Sequence, residues 1–271
     1  SVLNQTYCDY EVIVVNDSST DNSLEVASSF QDERIHIYTK ENEGVSAARN
    51  YGIMHAKYDY IAFLDADDIW ESDYLECQKK LIGTYPDAGI YSTAFYSLEK
   101  GKRKLRNVLI NEHIHFLVHD YFKESVMNGL SICWTSSLCL KKEVIKEIPM
   151  FRVGIKRGED LDLWLRIALN YDVAYLNLPK VFYRTGLSDS LTSDYSKNGE
   201  FPYYEWFNFT SESSYYRKYV ILVVYIHAKN AFIHHDYDTC LAELWSVKTI
   251  AWRFKWAERL LLLVISWIKS K

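Results

Sequence analysis

Several signatures are missing from this 271-residue chain, and each absence excludes a class. Its five cysteines are odd in number and contain no C-x-x-C pair. That argues against a disulfide framework or a zinc site and fits a reducing cytosol. A net charge of −5 leaves no electrostatic footprint for nucleic acid. The longest apolar run, Leu260 to Ile268 with Ser266 inside it, is too short to span a bilayer. Neither a starting Met nor a signal peptide precedes Ser1-Val2-Leu3-Asn4-Gln5. This opening reads as the inside of a helix, so an N-terminal strand is expected to be missing ahead of it. There is no internal repeat and no low-complexity tract. What remains is ordinary for a globular chain, 48% hydrophobic and 25% charged, long enough for one large domain or a domain with a helical appendix.

The most informative segment is Phe63-Leu64-Asp65-Ala66-Asp67-Asp68, an apolar strand from Tyr60 to Leu64 that runs into three carboxylates. A similar design lies upstream, where Val12-Ile13-Val14-Val15 ends in Asn16-Asp17-Ser18-Ser19-Thr20-Asp21. Buried strands that stop at acids place them at the carboxyl edge of a sheet, where open α/β folds bind ligands. Carboxylates at i, i+2 on such an edge suit a hard divalent cation, Mg²⁺ or Mn²⁺, whose shell substrate phosphates complete. Asp65 and Asp67 are therefore the candidate metal and nucleotide residues, with Asp68 as a helix cap. Asn16 and Asp17 are candidates for contacting a base and ribose; Asx turns explain part of the same loop.

Strand and helix signals alternate over the first 84 residues. Strands are expected at 11–15, 35–38 and 60–64, and helices near 21–30, 45–56 and 71–84. This alternation predicts an α/β fold with a mostly parallel sheet and helices on both faces. Beyond Pro86 the pattern gives a strand at 88–96, a basic hairpin or loop over Lys100 to Arg106, a helix at 112–124 and a strand at 132–140. A helix then opens at Gly158-Glu159-Asp160, with Leu161, Leu165 and Ala168 as its apolar stripe. Short strands follow near 173–177 and 181–184. From about residue 200 the chain reads as helical and rich in Tyr and Trp.

Further candidates lie on these elements. Gly44 permits a positive φ or a close backbone approach. Arg49, one turn into its helix, is placed to reach a phosphate or orient Asp65. Glu159 and Asp160 are either helix caps or acids at the mouth of a site. Asp160 and Trp164, at i, i+4, would set a general base beside an aromatic wall for a sugar. Arg184, followed by the polar loop Ser188, Ser190 and Thr192, is a candidate for contacting diphosphate.

Residues 1–195 resemble the family 2 glycosyltransferases. The resemblance rests on Ser1 to Tyr7, Val15-Asn16-Asp17 with Asp21, Asn42-Glu43-Gly44 with Ala48-Arg49-Asn50 and Gly52, Phe63 to Asp68, Glu159-Asp160 with Leu163-Trp164 and Arg166, and Tyr183-Arg184. It implies a GT-A-like, Rossmann-like catalytic domain over 1–195, and a helical, aromatic-rich region over 196–271. It implies an inverting, metal-dependent hexosyltransferase that moves a sugar from a UDP-sugar to a hydroxyl of a glycan or polyprenyl-linked acceptor in bacterial surface polysaccharide synthesis. By resemblance, Asn16 and Asp17 touch the base, Asp65 contacts ribose or assists the metal, Asp67 ligates it, and Asp160 is the catalytic base. The sequence departs from the family where Asn16-Asp17 replaces Asp-Asp and around Gly186-Leu187. No Gln-x-x-Arg-Trp signature of processive members is present. A sugar nucleotidyltransferase and a catalytically silent sugar-binding module are the competing readings.

The segment Arg253 to Lys271 carries five basic residues against Glu258, around a Leu-rich stretch with Trp252 and Trp256 upstream. It is expected to be either a terminal helix packed on the domain or an interfacial helix at the inner face of a plasma membrane.

Overall fold

The computed structural model describes residues 1–129, 131–155, 157–186, 203–206 and 209–251. Ser1 to Gln5 hold a turn at Leu3-Asn4 and not the helix expected of the opening. The first strand, β1 (Val12–Asn16), pairs in parallel with β2 (Ile35–Thr39), and α1 (Ser23–Ser28) connects them. Helix α2 (Val45–His55) packs on β1, where Gly52 lies against Val15 and Ile13. Next come β3 (Tyr60–Ala62), β4 (Ile69–Trp70) and α3 (Tyr74–Thr84).

The second half builds most of the main sheet. Its strands are β5 (Ile90–Glu99), β6 (Lys102–Arg106), β7 (His115–Val118), β8 (Leu138–Lys141) and β9 (Val173–Thr185). The order is β3-β8-β5-β9-β4, with β6 also on β5 and β7 on β9. The expectation of a mostly parallel sheet is corrected here. Only β5 with β9 is parallel in the main sheet; every other pair in it is antiparallel. The alternating pattern came from the first 84 residues, whereas the pairing partners come from later segments that enter by turns. A two-residue turn at Lys100-Gly101 can join only antiparallel strands.

Three element assignments also change. The 112–124 helix is instead β7 followed by α4 (Tyr121–Asn128). His115-Phe116-Leu117-Val118 suits a pleated surface, and pairing with β9 decides its state. The strand at 132–140 shortens to β8, preceded by a 3₁₀ turn at Thr135–Ser137. The two strands at 173–184 are one, bulged where Thr93 and Ala94 pair with Leu176 and Pro179.

After β8 come α5 (Val144–Glu147) and α6 (Glu159–Ala168). The helical remainder is α7 (Tyr203–Trp206), α8 (Tyr216–Ile233) and α9 (Tyr237–Ala251). It shares the core of the sheet region: one cluster runs from Ile53 and Phe63 through Leu163 and Trp164 to Tyr219, Val224 and Leu244. The Tyr121 and Tyr219 hydroxyls meet at 2.9 Å, and His227 of α8 pairs with Glu243 of α9. Trp206, fully buried, donates from Nε1 to Asp162 of α6 at 2.8 Å. Asp162 also accepts from Arg166 at 2.9 Å, and Arg152 ties the same carboxylate to Glu205. Among the described residues no helix is long and apolar enough to cross a membrane.

Candidate active site

The sheet end that carries the acids also receives the N-terminus of α6. Strand β3 stops at Ala62, and the chain continues through Phe63 and Leu64 to Asp65. The Asp65 N–H donates to the Ser136 hydroxyl at 3.1 Å. Asp68 is buried, and its Oδ1 accepts from the Arg184 N–H at 3.0 Å. Burial pushes the Asp68 carboxyl up to about 7, against hydrogen bonds from the Ser136 hydroxyl and the Arg184 N–H. Asp68 does not cap a helix as expected: β4 follows it, Asp73 stands at the start of α3, and the Asp68 carboxylate instead ties the acidic loop to β9. The Arg184 guanidinium turns to the Asp67 carbonyl oxygen.

Among the described residues, Asp67, half-buried, receives no hydrogen bond at either carboxylate oxygen, and the Asp65 Oδ2 receives none. Among the described residues no three His, Cys, Asp or Glu side chains converge as a metal cage. An unengaged carboxylate with a second beside it still fits Mg²⁺ or Mn²⁺, which keep few protein ligands and take substrate phosphates.

Arg49 joins this edge to α6. It gives one hydrogen bond to Asp65 at 2.8 Å and one to Glu159 at 2.7 Å, and its guanidinium lies 5.3 Å from the Phe151 ring. Desolvation works to lower its pKa, but Asp65, Glu159 and Asp160 together raise it. Arg49 therefore stays charged and takes the orienting role expected of it toward Asp65. Glu159 is only 9% exposed, and burial together with Asp160 pushes it up to about 7, against the pull of Arg49. Its Oε1 is engaged by Arg49.

Asp160 is the more open acid. Gly158, at φ 74°, turns the chain into α6, a conformation costly for any residue with a Cβ. The Asp160 Oδ1 accepts from the Leu161 N–H at 2.7 Å, and Oδ2 accepts from the Thr135 hydroxyl at 2.8 Å. A carboxylate at a helix N-terminus is favoured by the helix dipole. Asp160 is not the cap expected of it: Gly158 holds that position, and Asp160 is the second residue of α6. Thr135 and Ser136 went unnoticed in the sequence, yet they tie Asp160 and Asp65 to one 3₁₀ turn. Trp134, half-buried, precedes them and lies between Phe95 and Tyr183 at 5.5 and 4.6 Å.

Two expected site residues hold the loop above β1. The Asn16 Oδ1 accepts from the Ser19 N–H at 2.9 Å, and its amide reaches Thr39 at 3.5 Å. Asp17 accepts from Lys40 at 3.0 Å and from the Glu43 and Gly44 N–H groups at 3.1 and 2.8 Å. Burial acts to raise the Asp17 pKa, but these donors outweigh it and the pKa falls. Gly44, at φ 89°, leaves the loop and begins α2. Trp164 is a correction. It is fully buried against Phe63 and Phe151, so it cannot form a wall for a sugar. Residues i and i+4 share a helix side, but α6 is embedded along most of its girth, with Asp162 through Ile167 all buried. For the same reason the Leu161, Leu165, Ala168 stripe does not mark its inward face. Ser188, Ser190, Thr192 and the segment 253–271 lie outside the described residues.

The fold is of the GT-A-like α/β class, with an acid-lined sheet edge. The sequence model described as glycosyl transferase family 2 matches residues 1–148, and the chain belongs to that family. Similar proteins include an uncharacterized glycosyltransferase of Rickettsia felis, 35% identical over 62% of this chain and 27% of its own length. The glycosyltransferase GlyA of Streptococcus pneumoniae is 31% identical over 68% of this chain and 27% of its own length. The putative teichuronic acid biosynthesis glycosyltransferase TuaG of Bacillus subtilis is 31% identical over 65% of this chain and 67% of its own length. The first two relatives are thus matched over about a quarter of their length. The fold is similar to Staphylococcus aureus TarS 1–349 in complex with UDP-GlcNAc: TM-score 0.69, 16% identity, 90% of this chain and 73% of that one.

Proposed function

We propose that this chain transfers a sugar from a nucleotide-sugar, with UDP as the leaving group, to a hydroxyl of a glycan or lipid-linked glycan acceptor, with inversion at the anomeric carbon. The observation that carries the reading is the pairing of two acids by one cation. Arg49 bonds both Asp65, on the acidic strand edge, and Glu159, the neighbour of Asp160 at the start of α6. A donor held at the edge and a base at the helix start would thereby stand side by side. The TarS complexes with UDP and UDP-GlcNAc, and TuaG's assignment to teichuronic acid biosynthesis, support this class of donor and acceptor. Within that class a surface-polysaccharide acceptor and a non-processive reaction, at the cytoplasmic side, are the reading we adopt.

In the reaction, Asp160 takes the proton of the acceptor hydroxyl. The acceptor oxygen bonds to the anomeric carbon as the bond from that carbon to the UDP oxygen breaks. General-base transfer of this kind is worth about 10²- to 10⁴-fold. Thr135 holds one oxygen of Asp160, and Arg184, whose guanidinium turns to the Asp67 carbonyl, would contact the departing diphosphate. Mg²⁺ or Mn²⁺ held by Asp67 with Asp65 would supply Lewis-acid neutralisation of the charge that builds on the leaving group. Asn16 and Asp17 shape the loop over which the base and ribose would lie.

The test is UDP release from a panel of nucleotide-sugars with candidate acceptors, and the anomeric configuration of the product by NMR. Asp160→Asn should keep UDP binding and lose at least about 10²-fold in turnover. Turnover close to wild type in Asp160→Asn would overturn the assignment.

A further inference from the structure

Five basic residues lie in seven positions of the β5–β6 hairpin: Lys100, Lys102, Arg103, Lys104 and Arg106. The chain as a whole carries −5, so this is a local excess. Every residue of β6 is exposed. None of the five forms an ion pair with a described carboxylate, whereas Lys40, Lys80, Lys141 and Lys180 all do. Among the described residues the Arg106 guanidinium reaches only the Ser97 hydroxyl, at 3.2 Å, and Arg103 lies 4.7 Å from the Phe182 ring. Lys100 and Gly101 both have positive φ, 48° and 77°, as tight two-residue hairpins require. The cations are thus presented on a well-formed turn.

Apolar side chains accompany them. Leu105 on β6 is 48% exposed, Val108 42% and Ile110 fully exposed. Ile110 follows Arg106 by four residues, within about 14 Å even if the chain is extended. Single exposed apolar residues are ordinary. Three beside five unpaired cations make the composition of a surface that enters a headgroup layer. The hairpin also stands at the active-site end of the sheet. Leu98 pairs with Arg184, whose N–H binds Asp68, and Glu99 pairs with Thr185.

We propose that the β5–β6 hairpin and the following loop through Ile110 dock this protein on an anionic lipid bilayer. Cations neutralise headgroups while Leu105, Val108 and Ile110 enter the acyl boundary. Docking by this edge brings the acid-lined site to the membrane surface. The inference goes beyond the proposed function and does not depend on catalysis.

The test is co-sedimentation of the full chain with phosphatidylcholine vesicles that contain or lack phosphatidylglycerol. Binding should need the anionic lipid and weaken with salt. Lys102→Ser with Lys104→Ser should weaken it about thirtyfold, at about fivefold for each basic residue near such a surface. Ile110→Ser should weaken it further, with thermal melting unchanged in each variant. Equal binding to neutral vesicles, or an unchanged affinity in the double variant, overturns the proposal; the latter would place any contact elsewhere, as at 253–271. Binding to a soluble polyphosphate as tight as to vesicles, and indifferent to Ile110→Ser, overturns it in favour of a polyanionic partner. Lysines on an edge strand also prevent strand pairing. If that is their whole role, the double variant self-associates while its lipid binding stays as it was.

Discussion

Replacing Arg49 by Met removes a cation from between two acids and makes the loss depend on pH. The Met side chain keeps the stem's packing near Phe151 while both charged hydrogen bonds go. Glu159 is the sensitive partner. Its folded pKa, about 7, lies above the ordinary 4.5, because burial and Asp160 outweigh Arg49. Between those two values the folded chain holds a proton that the unfolded chain has released. The stability of the wild type therefore falls as pH rises through this window, then levels once Glu159 is ionised in both states. Without Arg49 the folded pKa moves higher, and the fall continues past 7. At pH 8 the wild type gains about 1.4 kcal/mol from ionised Glu159 over its protonated form, one pH unit above its pKa. The variant lacks that gain, while at pH 6 both chains hold the proton and the difference vanishes. The lost contact to Asp65, whose side chain is 36% exposed, adds about 1 kcal/mol or less at either pH. Urea unfolding in EDTA, without nucleotide, should show a loss of about 1 kcal/mol at pH 6 and about 2 to 3 kcal/mol at pH 8. Equal losses at the two pH values, or a larger one at pH 6, would refute the coupling of Arg49 to a proton-binding Glu159.

Thr135→Val removes the hydroxyl from Asp160 but keeps the shape. Turnover should fall about tenfold and Thr135→Ser should restore it; wild-type turnover in Thr135→Val would show that the hydroxyl does not position the base. Trp206→Ala empties a fully buried site and takes the indole donor from the Asp162 Oδ1, so the midpoint in urea should report a loss of about 3 to 5 kcal/mol; a loss under about 1 kcal/mol would mean α7 is not anchored there. Asp67→Asn should leave metal-free UDP affinity unchanged in calorimetry and abolish any gain on adding Mn²⁺. A gain equal to that of wild type would remove Asp67 from the metal role.

The part of the molecule that could be read in advance is the part written locally. A strand that ends in acids states its own direction, and the glycines at 44 and 158 state where helices begin. The β1–α1–β2 unit followed from periodicity alone. Strand sense in the main sheet did not, because β3 takes its neighbour from Leu138–Lys141, nearly eighty residues later. Nothing in Tyr60-Ile61-Ala62 says whether that neighbour arrives from above or below. His115 to Val118 shows the same limit: its state is settled by β9, not by its own residues.

Within the site, charge was legible and attachment was not. Asp65, Asp160 and Arg49 announce themselves as ionisable groups beside strand and helix ends. Which of two adjacent acids remains available is a tertiary fact. Glu159 and Asp160 differ by one position, about 100° around a helix. That rotation turns Glu159 inward onto Arg49 and leaves Asp160 to a hydroxyl from a 3₁₀ turn. The same rotation carries Trp164 into the core with its i, i+4 relation to Asp160 intact. Helical periodicity fixes which residues share a side; only packing fixes what that side meets. An acid can remain at the surface on the first turn because α6 begins there, while one turn later the same side is enclosed by Phe63 and Phe151. The base role proposed for Asp160 rests on its position at the helix start, and an aromatic partner for a sugar must be sought off the helix. Trp134, half-buried beside Thr135, occupies such a position.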